Sequence, residues 1–458
     1  MRFFLGIDLG TSYFKAGIFD EDGRLKGLGR RFVKKETGDG TLCELPVPVF
    51  WGTLRACIGS AVNEAGIIPE EISAVSYSSQ ANSFILLDEN DNPLTPLILW
   101  PDERAKEVFP SGSKMFDEID FLEKTGLGID FSAAFAVAKM TWFQKKQPES
   151  WERVKSVLSI SDYLTFSLTR KKVADLSTAS MTGLLDVTQC RWWKESLNLF
   201  SLNKSMLPTL RRTGSFVGTL TKPGAEHTGL AAGIPFYLGG LDHHCAAVGS
   251  GIIQNENICE STGTVLASVG YSNKYSADAG CCSAPGMDAG HYFRMAFDDN
   301  GALALEWYRR NFAPETDIPE LLEMAKEVEE GSEGLIAKPC ANKYQGLNGF
   351  ENVQPFHGHG HFVRAILEST SASLEKLISI LNRHFSGKVI STGGGAQSSL
   401  WIQIKANKLK TDFLIPECSE TACMGAAMIA AAGFEQTSSR KELAEKWVRY
   451  RKIVRPES

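Results

Sequence analysis

Gly6-Ile7-Asp8-Leu9-Gly10-Thr11-Ser12, which follows the apolar Phe3-Phe4-Leu5 and runs on through Lys15 to Phe19, decides the architecture. An apolar run that turns sharply at glycine and then offers hydroxyls and bare backbone N–H groups suits phosphate oxygens. Asp8, just ahead of the turn, is a carboxylate able to hold Mg²⁺ beside them. A second turn of this kind, Glu260-Ser261-Thr262-Gly263-Thr264, lies half a chain further on, entered from Ile252-Ile253 and left through Val265-Leu266-Ala267. Either alone reads equally as an ordinary hairpin turn. Facing each other across a cleft, the two would hold a polyphosphate from both sides, and they imply two related α/β halves.

Working outward, the region around the first turn is strand-rich. Residues 3–7 read as a buried strand, and Phe14, Ala16 and Ile18 alternate in a second. Asp20-Glu21-Asp22-Gly23 makes a hairpin turn into a third strand, giving an antiparallel meander. Apolar spacing predicts a helix over 49–65, ended by Gly66, then strands at 72–77 and 83–88. Helical patterns cover 138–145, 151–157 and 162–168. Residues 220–233 read as a glycine-rich link carrying Pro223, and 235–239 as the strand that leads into Gly239-Gly240-Leu241-Asp242. Later helices are expected at 302–308, 319–328 and 362–381. A strand at 388–391 runs into Thr392-Gly393-Gly394-Gly395. A small-residue helix follows at 421–433, and the tail from 438 reads as a charged, peripheral helix.

A chain of 458 residues is too long for one core, and two domains are expected, 1–238 and 239–458. Hydrophobic residues at 43% and charged residues at 22% are ordinary for a globular protein. The net charge of -6 argues against nucleic acid or an anionic membrane as partner. No stretch approaches the ~20 apolar residues of a membrane span, and Asp8 interrupts the N-terminus too early for a signal peptide. The ten cysteines form no C-x-x-C pair, and neither Cys281-Cys282 nor the Cys418/Cys423 spacing fits a zinc pattern. Reduced thiols in the cytoplasm are therefore the expectation, with a vicinal Cys281-Cys282 disulfide as the alternative. His357, His359 and His361 would share one face of a strand and converge on a metal. The interleaved Gly358 and Gly360 and the helix that follows point to a flexible turn instead. G-x-x-x-x-G-K-[ST], H-E-x-x-H and a strand-to-helix G-x-G-x-x-G are all absent.

Leu5 to Ser12 with Lys15, Leu86-Leu87-Asp88 leading to Ile98-Leu99-Trp100-Pro101-Asp102-Glu103-Arg104, and Gly239 to Asp242 with Ala246 to Gly251 together resemble the FGGY carbohydrate kinases. So do Ser261-Thr262-Gly263-Thr264, Arg364-Ala365-Ile366-Leu367-Glu368 and Gly393 to Ser398 with Trp401 and Gln403. The likeness is collinear from near residue 3 to near 433 and is nearest the xylulokinase-like branch. It implies an α/β, two-domain actin/hexokinase/Hsp70-type (ribonuclease H-like) fold with a central cleft. It also implies ATP and Mg²⁺ as cofactors and a small sugar as substrate. The sugar would lie mainly on the N-terminal domain and nucleotide mainly on the C-terminal one, and dimers are common among similar kinases.

Carried over residue by residue, the resemblance makes Asp242 the base that takes the proton of the sugar hydroxyl, with an N-cap Asp as the alternative. Asp8, with Asp242, would hold Mg²⁺, while Thr11, Ser12 and Lys15 would meet the β- and γ-phosphates. A solvent-facing Lys15 is the other reading. Gly263 and Thr264 match the second phosphate turn. Gly394 and Gly395 would let adenosine pass close to the backbone, with Gln397 and Ser398 near base and ribose, although Ser398 reads also as a helix cap. Gln80, Ala81, Asn82, Trp100, Asp102, Arg104 and His243 match the sugar side. There the chain departs from its relatives: Ser79-Gln80-Ala81-Asn82-Ser83 stands where they have Gly-Gln-Met-His-Gly, and His243 replaces Asn. Arg104 reads equally as a structural ion pair and His243 as a core or surface imidazole. A ketopentose or ketohexose kinase is the leading expectation. A glycerol or polyol kinase, a chaperone- or filament-type ATPase and a sugar-sensing pseudokinase are its rivals.

Overall fold

A computed structural model describes residues 2–38, 40–108, 120–252, 257–339, 347–436 and 440–457. The chain folds into two compact units that interleave along the sequence. The first comprises Met1–Gly251, Ser272–Phe293 and Glu420–Val448; the second comprises Ile252–Tyr271, Arg294–Ser419 and Arg449–Ser458. The linear boundary expected after residue 238 coincides with neither unit, because the chain crosses between them several times.

In the first unit, Phe3–Leu9 is buried along its whole length. It pairs antiparallel with Tyr13–Asp20, which pairs with Leu25–Phe32, so the expected meander is present. On its other side Phe3–Leu9 pairs parallel with Ile72–Ser79, and Pro235–Tyr237 and Gly240–Leu241 extend the sheet beyond that strand. Helix Val47–Ala65, ended by left-handed Gly66, packs against Leu25–Phe32. The helix Thr421–Glu435 lies on the opposite face, over Phe3–Leu9. That helix also crosses Asp242–Gly249 at two glycines. A Cβ on Gly425 would lie 1.9 Å from the Cys245 carbonyl oxygen, and one on Gly249 2.0 Å from that of Thr421. Only residues without side chains let the two backbones approach so closely.

The second unit repeats the plan. Its strand Ile258–Thr262 pairs antiparallel with Leu266–Ser272 and parallel with Val389–Thr392. Phe413–Pro416 and Tyr450–Val454 continue that sheet. Leu305, Leu321, Ile366, Leu367, Trp401 and Ile404 belong to the helical core of this unit. Each unit thus has a strand that turns through a Gly/Thr segment into an antiparallel neighbour and takes a parallel partner on its other edge.

Three local expectations are corrected. The helix expected at 151–157 occupies Pro148–Glu152, and Ser156–Ser159 is a strand, because Leu158 finds a cross-strand partner in Ile85. The expected link at 220–233 contains the helix Lys222–Thr228: Thr221 caps it through Gly224 N, Pro223 suits its first turn, and Gly229 ends it in the left-handed region. The tail is not peripheral. Trp447, 1% exposed, packs on Phe4 and Phe19, and Tyr450–Val454 joins a sheet.

Candidate active site

Strand register assembles the first cluster. Asp8 stands opposite Lys15 on one neighbouring strand and opposite Ser78 on the other, and Ser78 stands opposite Gly240. The Ser78 hydroxyl donates to Asp8 Oδ1 at 2.8 Å. Lys15 Nζ bonds Glu420 Oε2 at 2.6 Å, immediately ahead of the helix Thr421–Glu435. Asp242 opens the helix Asp242–Gly249, half-buried, its Oδ1 accepting from His243 N at 2.8 Å. Burial lifts the Asp8 carboxyl to about 6 despite Lys15, and the charges of Asp242 and Glu420 add to the rise. Asp8, Lys15 and Asp242 are therefore brought together as expected. Glu420 was missed: one acidic residue ahead of a small-residue helix carries no local signal, and its partner is 405 residues away.

Gly239, three residues ahead of Asp242, is tightly packed. A Cβ there would meet the Tyr77 carbonyl oxygen at 1.6 Å, so the glycine serves strand packing. His244, also beside Asp242, is buried: its ring stacks on Phe293 and its Nδ1 lies 2.8 Å from Ser177 Oγ.

A closed ring of hydrogen bonds forms the second cluster. Trp100 Nε1 donates to Thr11 Oγ1 at 2.7 Å, and Thr11 donates to Gln80 Oε1 at 3.0 Å. Ser83 Oγ donates to the same Gln80 oxygen at 3.0 Å and accepts from Trp100 N at 2.9 Å. Thr11 thus sits with Gln80 and Trp100 rather than standing free for phosphate, while Ser12 is exposed. Asn82, at a φ of 59°, donates to Met181 O and accepts from Ala136 N, so both ends of its amide hold backbone. Ala81 is half-buried.

Asp102 is fully buried, accepting from Arg104 Nε at 2.8 Å and from Cys43 N at 2.7 Å, and Arg104 also reaches Glu44. Arg104 is thus engaged in a buried ion-pair cluster. Lys139, likewise without exposure, donates to the carbonyls of Leu99 and Trp100 at 3.0 and 3.1 Å, and burial lowers its ammonium to about 7. It lies on a helix that showed only apolar spacing, so nothing local marked it.

In the second unit, Gly263 N bonds Val265 O at 3.0 Å across the turn, and Thr264 is exposed. Beneath the turn lies a fully buried ion pair that was not anticipated. Lys405 Nζ donates to Glu260 Oε1 at 2.8 Å and to Thr262 Oγ1 at 2.6 Å, and Ser391 donates to the same Glu260 oxygen. The pair ties the hairpin to Val389–Thr392, the strand that feeds the 393–395 turn. Gly394, Gly395, Gln397 and Ser398 line a groove of ≈ 600 Å³ with Ala302, Leu305, Ile318 and Leu322. Ser398 also caps the helix Ser399–Leu409 through Trp401 N, and Gln397 accepts from Arg451. The three histidines do not share a strand face: the His357 and His361 rings lie 5.2 Å apart, while His359 and His361 belong to a helix rather than to a flexible turn. His357 Nδ1 accepts from Gln354 N, His359 lies 2.8 Å from Tyr308 Oη and opens the helix His359–Leu381, and His361 Nδ1 accepts from Gly358 N.

The model of the FGGY family of carbohydrate kinases, N-terminal domain, matches residues 3–249, and that of the C-terminal domain matches 339–434. The xylulose kinase of Lactococcus lactis is 30% identical over 98% of this chain and 92% of its own. The gluconokinase of Bacillus subtilis is 27% identical over 93% and 86%. The crystal structure of ligand-bound xylulose kinase from Lactobacillus acidophilus superposes with a TM-score of 0.89 at 21% identity, covering 100% of this chain and 94% of the other. The chain belongs to the FGGY family of carbohydrate kinases, with a two-domain α/β fold of actin/hexokinase type. It is an ATP-dependent sugar kinase.

Proposed function

We propose that this kinase transfers the γ-phosphate of ATP to a hydroxyl of a small neutral ketose, a ketopentose or ketohexose, with Asp242 as the base. The observation that carries the reading is the meeting of Asp8, Asp242 and Lys15 at adjacent strand ends of one sheet. Phosphoryl transfer asks little covalent work of a protein, so a carboxylate that orients the hydroxyl and takes its proton is the main requirement.

The donor set fits Mg²⁺, which favours oxygen ligands and binds through one or two carboxylates plus phosphate. Asp8 is a buried carboxylate whose nearest lysine is bonded elsewhere, and Asp242 supplies a second. The metal held there would neutralise charge on the phosphate oxygens. Lys15 and Ser12 would meet phosphate at the first turn, and Gly263 and Thr264 form a turn of the same kind in the second unit. The 600 Å³ groove at Gly394, Gly395, Gln397 and Ser398 would take adenosine against Leu305, Ile318 and Leu322. The segment before residue 239 would then supply most of the sugar contacts and the rest most of the nucleotide contacts. Cytoplasmic placement, where ATP is available, goes with this reading.

On the sugar side, Gln80, Trp100 and His243 would present the polar groups, with Thr11 and Ser83 fixing Gln80. Asn82, Asp102 and Arg104 would support that wall from behind. Arg104 and Lys139 are taken by Asp102, Glu44 and the backbone carbonyls of Leu99 and Trp100. That supports a neutral sugar over gluconate, whose carboxylate asks for a cation. A coupled ADP-release assay against D-xylulose, L-xylulose, D-ribulose, D-fructose, gluconate and glycerol tests the proposal. Turnover is expected with at least one ketose; turnover with gluconate or glycerol alone would overturn the substrate class.

A further inference from the structure

The nearest carboxylate to Lys15 by strand register is Asp8, directly opposite on the neighbouring strand. Cross-strand partners of opposite charge normally pair. Here they do not: the ammonium bonds Glu420 at 2.6 Å, and Asp8 takes the Ser78 hydroxyl. Glu420 is delivered firmly. It immediately precedes the helix Thr421–Glu435, which lies so close on the sheet that a Cβ at Gly6 would meet the Cys423 carbonyl oxygen at 1.9 Å. It is also the first residue of its segment in the first unit. The ion pair is only partly exposed, at 25% and 15% of the two side chains, so water screens it incompletely.

We propose that Glu420 is a positioning residue that holds the Lys15 ammonium off Asp8, leaving the Asp8 and Asp242 carboxylates open to a divalent cation. The inference rests on the kinase reading above, in which those two carboxylates hold the metal. An ammonium seated on Asp8 would compete with the cation for the same oxygens while contributing half its charge. Glu420 removes that competitor yet keeps Lys15 beside the cluster, where a phosphate could draw it away.

The test is direct binding of Mn²⁺ in the presence of ADP, followed by electron paramagnetic resonance with no sugar present, so that nothing turns over. Four forms are compared: wild type, E420Q, K15M and the double variant. E420Q should weaken Mn²⁺ binding about fivefold, the size of one partly screened charge interaction. In the K15M background the same substitution should change binding by less than about twofold, because no ammonium remains to be released. An equal loss in both backgrounds would mean that Glu420 acts only through its own charge, which overturns the proposal. Unchanged binding in E420Q overturns it as well. D8N separates the two levels: Mn²⁺ binding indifferent to D8N contradicts the kinase site itself, whereas binding sensitive to D8N but indifferent to E420Q contradicts the role of Glu420 alone.

Discussion

His244, two residues beyond Asp242, is held neutral by its surroundings. Burial against Phe293 pushes its imidazole down to about 3, and His243 adds to the shift. In the unfolded chain the same group protonates near 6.5. The folded state therefore keeps its full stability above about pH 6.5 and loses it as pH falls toward 3, because the unfolded chain takes up the proton first. This group alone contributes a slope of at most about 1.4 kcal/mol per pH unit across that window. H244F keeps the stack but not the titration, so urea unfolding between about pH 7 and 4 should show a shallower acid slope than wild type. Equal slopes would remove His244 from the account. Residues inside turn motifs were legible: Asp8, Lys15 and Asp242 each stand at a glycine-rich turn. Glu420, Lys139 and Lys405 were not, since each is a lone charge in a helix or ahead of one, and its meaning comes from partners far along the chain.

At the scale of elements, the crossing of Asp242–Gly249 with Thr421–Glu435 fixes where Asp242 begins its helix. Gly425→Ala forces a methyl onto the Cys245 carbonyl and should destabilise the protein by about 1–3 kcal/mol or more. Gly59→Ala, at an exposed position of the helix Val47–Ala65 where a Cβ meets nothing within 4 Å, should stabilise by about 0.5–1 kcal/mol. Thermal unfolding of the two variants checks the opposite signs; a stabilised G425A would contradict the close crossing. Long periodic helices were read nearly to their ends. The strand Ser156–Ser159 was read as helix because Val154, Val157 and Leu158 suit either period, and only pairing with Phe84–Leu87 decides between them.

For the whole molecule, the repeated plan of two sheets follows from the two glycine–threonine turns, and that much was visible in the sequence. The interleaving of the units was not. The chain returns to the first unit at Glu420 and leaves it again after Val448, and no composition change marks either point. The tail read as peripheral because its charge pattern dominates, yet Trp447 is among the largest fully buried side chains.

The central claim is that Asp242 does the proton work of transfer while nucleotide binding depends on other groups. The most direct measurement compares D242N with wild type in γ-phosphate transfer to the best ketose, alongside ADP affinity by calorimetry. The account predicts ADP affinity within about threefold of wild type and turnover reduced by about 10²–10⁴-fold. Turnover near the wild-type rate with the same sugar would contradict it.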